Sequence, residues 1–316
     1  MQKLKIKWVV AHEPLELFIK AAKTFAKHVQ ELSNNNINVE IMTVKDYDEK
    51  YGFTDKNNPV FKDLIDGKIH MGQYTSGVLG TFLQYYDMFL LDLPFLFRDH
   101  DHAQSVLEGE IGETLLANMA KRNLTGLAFT YSGGFRIVTS KEPIKTIADF
   151  NGKTFSVGKS PILEGTLKAL GANTYGDISF DIVKHMKEKP HINFEAAEST
   201  LVRYDSVKDV VPYITDTKHS LFLTSIVINN DFWISLDEET RSVIKEAAMK
   251  AAAEERETTI NDSATFVDSA KDNCAGYYTF TEQDLAEFKE AVKPLYEMVK
   301  NNKKYTTGLV DKILLH

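Results

Sequence analysis

Leu4, Ile6, Trp8 and Val10 alternate with Lys3, Lys5 and Lys7, which is the periodicity of a strand. Pro14 is placed to open a helix, and Leu17, Ala21, Phe25, Val29 and Leu32 then recur at helical spacing until Ser33-Asn34-Asn35-Asn36 ends the run. Ile37 to Ile41 is extended again. A strand, a helix and a strand joined this tightly form a βαβ unit, with two parallel strands and a covering crossover helix. The first forty residues therefore commit the chain to an α/β architecture. They also put the loop residues His12 and Glu13 beyond the carboxyl end of the first strand, where open α/β sheets bind ligands; a solvated loop is the competing reading.

The rest of the chain continues the pattern with interruptions. Asp46 to Pro59 (DYDEKYGFTDKNNP) reads as an irregular, solvated insertion, and its acids lack the spacing of a calcium loop. Val60 to Asp66 reads as a short helix and His70 to Tyr74 as a strand, with the hydroxyls of Thr75 and Ser76 at its carboxyl end. Leu90 to Phe97 is an apolar run broken by Pro94, Asp101 to Arg122 carries helical signals, and Gly126 to Tyr131 is a strand leading to a Gly133-Gly134 bend. Short strands follow at Ile137-Val138 and Thr154 to Val157, on either side of a turn and short helix over Pro143 to Phe150. Helices are expected over 162–170, 181–187, 237–272 and 281–299, and an apolar strand over 221–229.

The 316 residues suffice for one large or two ordinary domains with a sizeable core. The net charge of −8 and the lack of a basic run argue against nucleic acid as a partner. A single cysteine, Cys274, excludes an intrachain disulfide and a cysteine metal cluster. No apolar stretch approaches the roughly 18 residues of a membrane span, so no direct membrane insertion is expected. Met1-Gln2-Lys3 runs straight into the first strand, with no signal peptide visible. The sequence holds no GxSxG, HExxH, phosphate loop or GxGxxG. His185, His191 and His219 are scattered, and nothing shows Glu195 and Glu198 flanking a scissile bond. No catalysis, cofactor or metal is expected. Arg136 is the candidate that remains: it follows two glycines, and a guanidinium there offers a fork that fits a carboxylate. A helix cap or a surface ion pair is the competing role.

GGFRIVTSKEPIKTIADFNGKTFSV resembles the interdomain segment of DctP-type solute-binding proteins of tripartite ATP-independent periplasmic (TRAP) transporters. Leu93 to Asp99, Ala169 to Ala172, Val227 to Trp233 and a tail from Thr279 to Tyr296 match in the same order, and the likeness runs from about Lys5 to the C-terminus. The resemblance implies an α/β, two-lobed clamshell like that of periplasmic binding proteins, with mixed sheets, hinge crossings near Gly133-Gly134 and Leu221, and a long helix spanning both lobes. It divides the chain into 1–133 with 222–261 and 134–221 with 262–316. It further implies export to the periplasm with the signal peptide removed, a monomer or weak dimer, and delivery of a small polar solute to TRAP membrane subunits. An extracytoplasmic sensor presenting its solute to a receptor is the alternative.

The family's anchor arginine falls at Ser156 in this sequence, whereas its second arginine is kept as Arg136. Lys159 stands where relatives often carry a polar residue, Phe180 keeps a pocket-wall aromatic, and Glu195 and Ala197 replace two amides. One cation is lost and one anion gained. The resemblance thus points to an organic acid or an amino-acid-like solute, or to a neutral polar one, rather than a plain monocarboxylate in the usual pose.

Overall fold

A computed structural model describes residues 3–12, 15–53, 59–131, 133–176, 182–189 and 191–316. They divide into two compact units, 1–75 with 107–132 and 224–258, and 76–106 with 133–223 and 259–316.

The first unit is built on a five-stranded sheet. Strand β1 (Leu4–Val10) pairs in parallel with β2 (Ile37–Thr43) along its whole length, Leu4 opposite Ile37 through Val10 opposite Thr43. Helix α1 (Leu15–Leu32) connects them; of the periodic residues Ala21, Phe25 and Val29 are buried and Leu17 and Leu32 half-buried, and Phe18 and Ala22 join the buried face. The strand order is β2-β1-β3-β10-β4, with β3 at Met71–Thr75, β4 at Leu124–Thr130 and β10 at Thr224–Asn229. β10 runs antiparallel between β3 and β4, and its six residues are all buried, Ile226, Val227 and Ile228 as apolar core and Thr224, Ser225 and Asn229 as buried polar groups.

The insertion expected to be irregular is partly helical. α2 (Val44–Tyr51) starts on a capping box, in which the Thr43 hydroxyl accepts the Asp46 N–H and the Asp46 carboxylate accepts the Thr43 N–H. Residues 54–58 of that insertion lie outside the described residues. Helices α3 (Pro59–Ile65), α7 (Glu110–Asn118) and α10 (Asn230–Ser235) complete the unit.

The second unit holds a six-stranded mixed sheet in the order β11-β9-β5-β8-β6-β7. These strands are β5 (Arg136–Ser140), β6 (Thr154–Ser156), β7 (Asn173–Tyr175), β8 (Asn193–Ala197), β9 (Tyr213–Asp216) and β11 (Gly276–Thr279). β5 is antiparallel to both of its neighbours and the other pairs are parallel. Alternation along β5 sends Val138 to one face, packed with Phe155, Phe280 and Phe288, and Ile137 to the other, with Met186, Phe194 and Ile214. The unit's helices are α4 (Ser76–Leu83), α5 (Asp87–Leu90), α8 (Pro161–Ala169), α9 (Ile182–Glu188), α12 (Glu282–Asn301) and α13 (Leu309–Leu315). α6 (His100–Glu108) and the 36-residue α11 (Glu238–Asn273) contribute residues to both units.

The division expected from the sequence placed all of 1–133 together. Instead, 76–106 packs with the second unit. The reason is a set of bonds to late parts of the chain. Asp87 accepts the N–H and the hydroxyl of Thr306, both at 2.7 Å, and the Pro94 carbonyl accepts the Tyr296 hydroxyl at 2.7 Å. The Phe95 N–H donates to the His219 carbonyl at 2.6 Å.

Candidate functional site

Arg136 opens β5. Its N–H donates to the Ser220 carbonyl at 2.8 Å, and its carbonyl accepts the Thr217 hydroxyl at 3.2 Å. On the sheet, Arg136 pairs with Ala197 and Val138 with Glu195, so Arg136 and Glu195 are diagonal neighbours on one face. Nη1 reaches the two carboxylate oxygens of Glu195 at 2.9 and 3.0 Å. Nη2 lies 3.6 Å from Asp92 Oδ1, the Phe222 ring centre is 5.0 Å from Cζ, and Nε has no hydrogen-bond partner. His219 Nε2 is 3.4 Å from Glu195 Oε1, and its Nδ1 is 2.8 Å from the Thr217 hydroxyl. Arg136 is 6% exposed, Glu195 9%, Asp92 3% and His219 1%, so these side chains meet almost without solvent.

The two carboxyls respond oppositely to this setting. Burial opposes ionisation of Glu195, but Arg136 and then His219 outweigh it and hold the group below the usual carboxylate range. Burial dominates at Asp92, whose more distant contact with Arg136 compensates only partly, and its pKa is pushed up to about 6. Ser160, itself 4% exposed, lies beside Asp92 without forming a full hydrogen bond. The cluster therefore has one guanidinium between a firmly ionised carboxylate and one poised to take a proton.

Of the residues singled out in the sequence, the structure brings Arg136 and Glu195 together. Ser156 is on the same sheet but faces the other way: it pairs with Phe194, and its hydroxyl is 3.5 Å from His185 Nε2. Lys159 is exposed, with its ammonium 5.4 Å above the Phe82 ring. Ser76 is fully buried, and its hydroxyl is 3.4 Å from the Leu223 carbonyl. Thr75 and His12 belong to the first unit, where His12 stacks on Phe18 at 4.7 Å. Glu13 and Phe180 lie outside the described residues.

Sequence reasoning missed Asp92 and His219. Asp92 does leave a signal, a single acid inside the apolar run Leu90-Leu91-Asp92-Leu93. His219 leaves none, since only the return of the chain after β9 brings it to Glu195. A second buried polar cluster, in the first unit, was also missed. There Gln73 Nε2 lies 2.8 Å from the Thr130 hydroxyl, 2.9 Å from the Thr224 hydroxyl, and 2.9 and 3.0 Å from the carboxylate oxygens of Glu255. Among the described residues there is no group of three or more side chains suited to a metal, and no helix long and apolar enough to cross a membrane.

Residues 10–302 match the DctP family, described as bacterial extracellular solute-binding protein family 7. The C4-dicarboxylate-binding protein DctB of Bacillus subtilis is 26% identical over 286 residues, covering 87% of this chain and 76% of that protein. Among solved structures, the sugar acid binding protein DctPAm of Advenella mimigardefordensis, in complex with galactonate, superposes with a TM-score of 0.86 at 22% identity, covering 99% of this chain and 97% of that one. A TRAP periplasmic solute-binding protein of Sulfurospirillum deleyianum with bound succinate gives 0.82 at 23%, covering 99% of each chain. At such identities the structures speak for the fold, an α/β architecture with two mixed sheets. The match over nearly the whole chain settles the family, which is one of solute binding and not a class of enzymes: the chain belongs to the DctP family and is a solute-binding protein of the TRAP type.

Proposed function

We propose that the chain captures a small polar organic acid bearing a hydroxyl or amino group beside its carboxylate, and passes it to the membrane subunits of a TRAP transporter. The observation that carries this reading is Arg136, a buried guanidinium with Nε unpartnered and Nη2 only loosely engaged, set between two carboxylates. The free part of the guanidinium suits a ligand carboxylate. Glu195 suits a donor on the same ligand, because a buried acceptor gains from each hydrogen bond it is offered. The relatives' ligands, C4-dicarboxylate, galactonate and succinate, are organic acids, and the last two lack an amine. A hydroxy or amino acid fits this chain better than a plain dicarboxylate, since the local acids already outnumber the one guanidinium. Lys159 and Ser76, in the same unit as Arg136, stand as further candidate contacts.

Calorimetry against dicarboxylates, sugar acids and amino acids tests this. A preferred ligand carrying both an acid and a donor is expected. Its affinity should fall roughly thirtyfold or more in Arg136→Ala, as for other truncated charge-assisted contacts, and only partly recover in Arg136→Lys. Because Asp92 titrates at about 6, an incoming carboxylate should be accompanied by proton uptake near pH 6–7, read from the buffer dependence of the binding enthalpy. Unchanged affinity in a folded Arg136→Ala would move the site elsewhere.

A further inference from the structure

A pocket of about 510 Å³ opens within the second unit, and Arg136 is not among its lining residues. It sits where β8, β9 and β11 end and where the chain enters β5: Glu198 follows β8, Asp216 closes β9, Thr279 closes β11, and Gly134 and Phe135 precede β5. That is the carboxyl edge of the parallel pairs, the usual place for a ligand in an α/β sheet. Ser263 and Val267 of α11 line it from the helix side.

Three features mark it as more than a crevice. Ser263 is 4% exposed, and its hydroxyl has no hydrogen-bond partner. Gly134 has φ +70°, and a Cβ there would come within 2.5 Å of Glu198 Oε2 and 3.0 Å of Ser263 Oγ, so the glycine keeps open the space between those two oxygens. Lys218 takes a φ of +42°, uncommon for a residue with a side chain, and its ammonium is 3.6 Å from Asp216 Oδ2.

The charges then decide what would fit. Lys218 answers Asp216, and Lys271 answers Asp268 at 3.2 Å while lying over the Tyr277 ring. Glu198, 8% exposed, has no cation within ion-pair distance among the described residues; its Oε2 accepts only the Phe135 N–H, at 3.1 Å. The Glu198 N–H in turn donates to the Phe135 carbonyl at 2.9 Å, which fixes the carboxylate in place. We propose that this pocket is a second small-molecule site, taking a primary organic ammonium whose N–H groups donate to the Glu198 carboxylate and the Ser263 hydroxyl. The apolar body of such an amine would rest against Phe135, Ile260 and Val267. Multiple N–H donors are what the site demands, because two acceptors flank one small space. This inference is independent of the solute proposed for Arg136.

The test is titration of the full chain with ethylammonium, followed by amide NMR, with tetramethylammonium as a cation of the same charge and no N–H. Ethylammonium should shift the amides of Gly134, Phe135 and Ser263 saturably, and tetramethylammonium should not. Glu198→Gln should weaken binding by about tenfold or more, as removal of a buried charge partner does. Ser263→Ala, which deletes one neutral acceptor, should weaken it about threefold; it decides the matter if Glu198→Gln fails to fold. Absence of these shifts, equal shifts from tetramethylammonium, or unchanged binding in both folded variants would overturn the proposal.

Discussion

The two units solve the same problem, polar groups buried at strand ends, by different means. In the first, the Gln73 amide stands among two threonine hydroxyls and the Glu255 carboxylate. Its two N–H donors face more acceptors than they can serve at once, and the hydroxyls adjust by rotating. In the second, Arg136 stands against Glu195 and Asp92, and His219 approaches the same Glu195 oxygen as Arg136. The hydroxyls at its edge, Ser160 beside Asp92 and Thr217 beside His219, cannot replace the guanidinium's charge. Charge compensates charge, so the loss of one member strands the others. The comparison teaches that the first cluster should tolerate change gradually, whereas the second should fail at one residue and respond to protons.

The largest effect is expected for Arg136→Ala, which leaves buried carboxylates without their cation and should cost roughly 3–5 kcal/mol in urea unfolding. Replacing Arg136 and Glu195 together by Met should recover most of that loss. A single variant within error of the parent would dissolve the contrast between the units. Gln73→Leu should cost less, about 1–3 kcal/mol, the penalty of buried acceptors losing a donor. A loss there as large as for Arg136→Ala would show the first cluster to be no more adaptable than the second.

Proton linkage sharpens the comparison further. Asp92 has a native pKa of about 6, above the ordinary unfolded value of about 3.9, so the native state binds this proton more tightly. Between about pH 4 and 6 its contribution to stability falls as pH rises. Glu195, held low, acts in the opposite sense: its contribution is present above its unfolded pKa and is lost as pH falls through the native one. Asp92→Asn should therefore gain stability relative to the parent on going from about pH 4 to pH 7, in unfolding curves at both values. Parallel profiles would place Asp92 in a wetter setting than the one described. The smallest effect belongs to Ser156→Ala, which removes a neutral hydroxyl on the other face whose contacts include His185 at 3.5 Å, and should cost about 1 kcal/mol.

These contrasts also show where the sequence was readable. β1, α1 and β2 declared themselves, because alternation and helical spacing are local and each apolar residue faces a neighbour's covering element. Arg136 was legible as a candidate from the glycines before it and from the family pattern. Its partner Asp92 was not, because a contact between residues so far apart depends on 76–106 joining the second unit, and the Gly77 that follows Thr75-Ser76 does not say which unit the chain enters next. The capping box at Thr43 and Asp46 was in plain sight, but the acids and turn formers after it pulled the reading toward a loop. The resemblance assigned the anchor position to Ser156 along the chain. It could not say which face of β6 that residue takes, because a one-residue difference in register reverses a strand's faces.

The place of β10 has a consequence for the order of synthesis. β3 ends at Thr75 and β4 at Thr130, but the strand that joins them begins only at Thr224. While about a hundred further residues emerge, at about 5–20 residues per second, β3 and β4 each carry a row of unpaired N–H and C=O groups for roughly 5–20 s. Such rows are templates for pairing with the wrong strand. A chain released before residue 224 lacks the strand that stands between β3 and β4, which leaves β4 with no partner in the sheet.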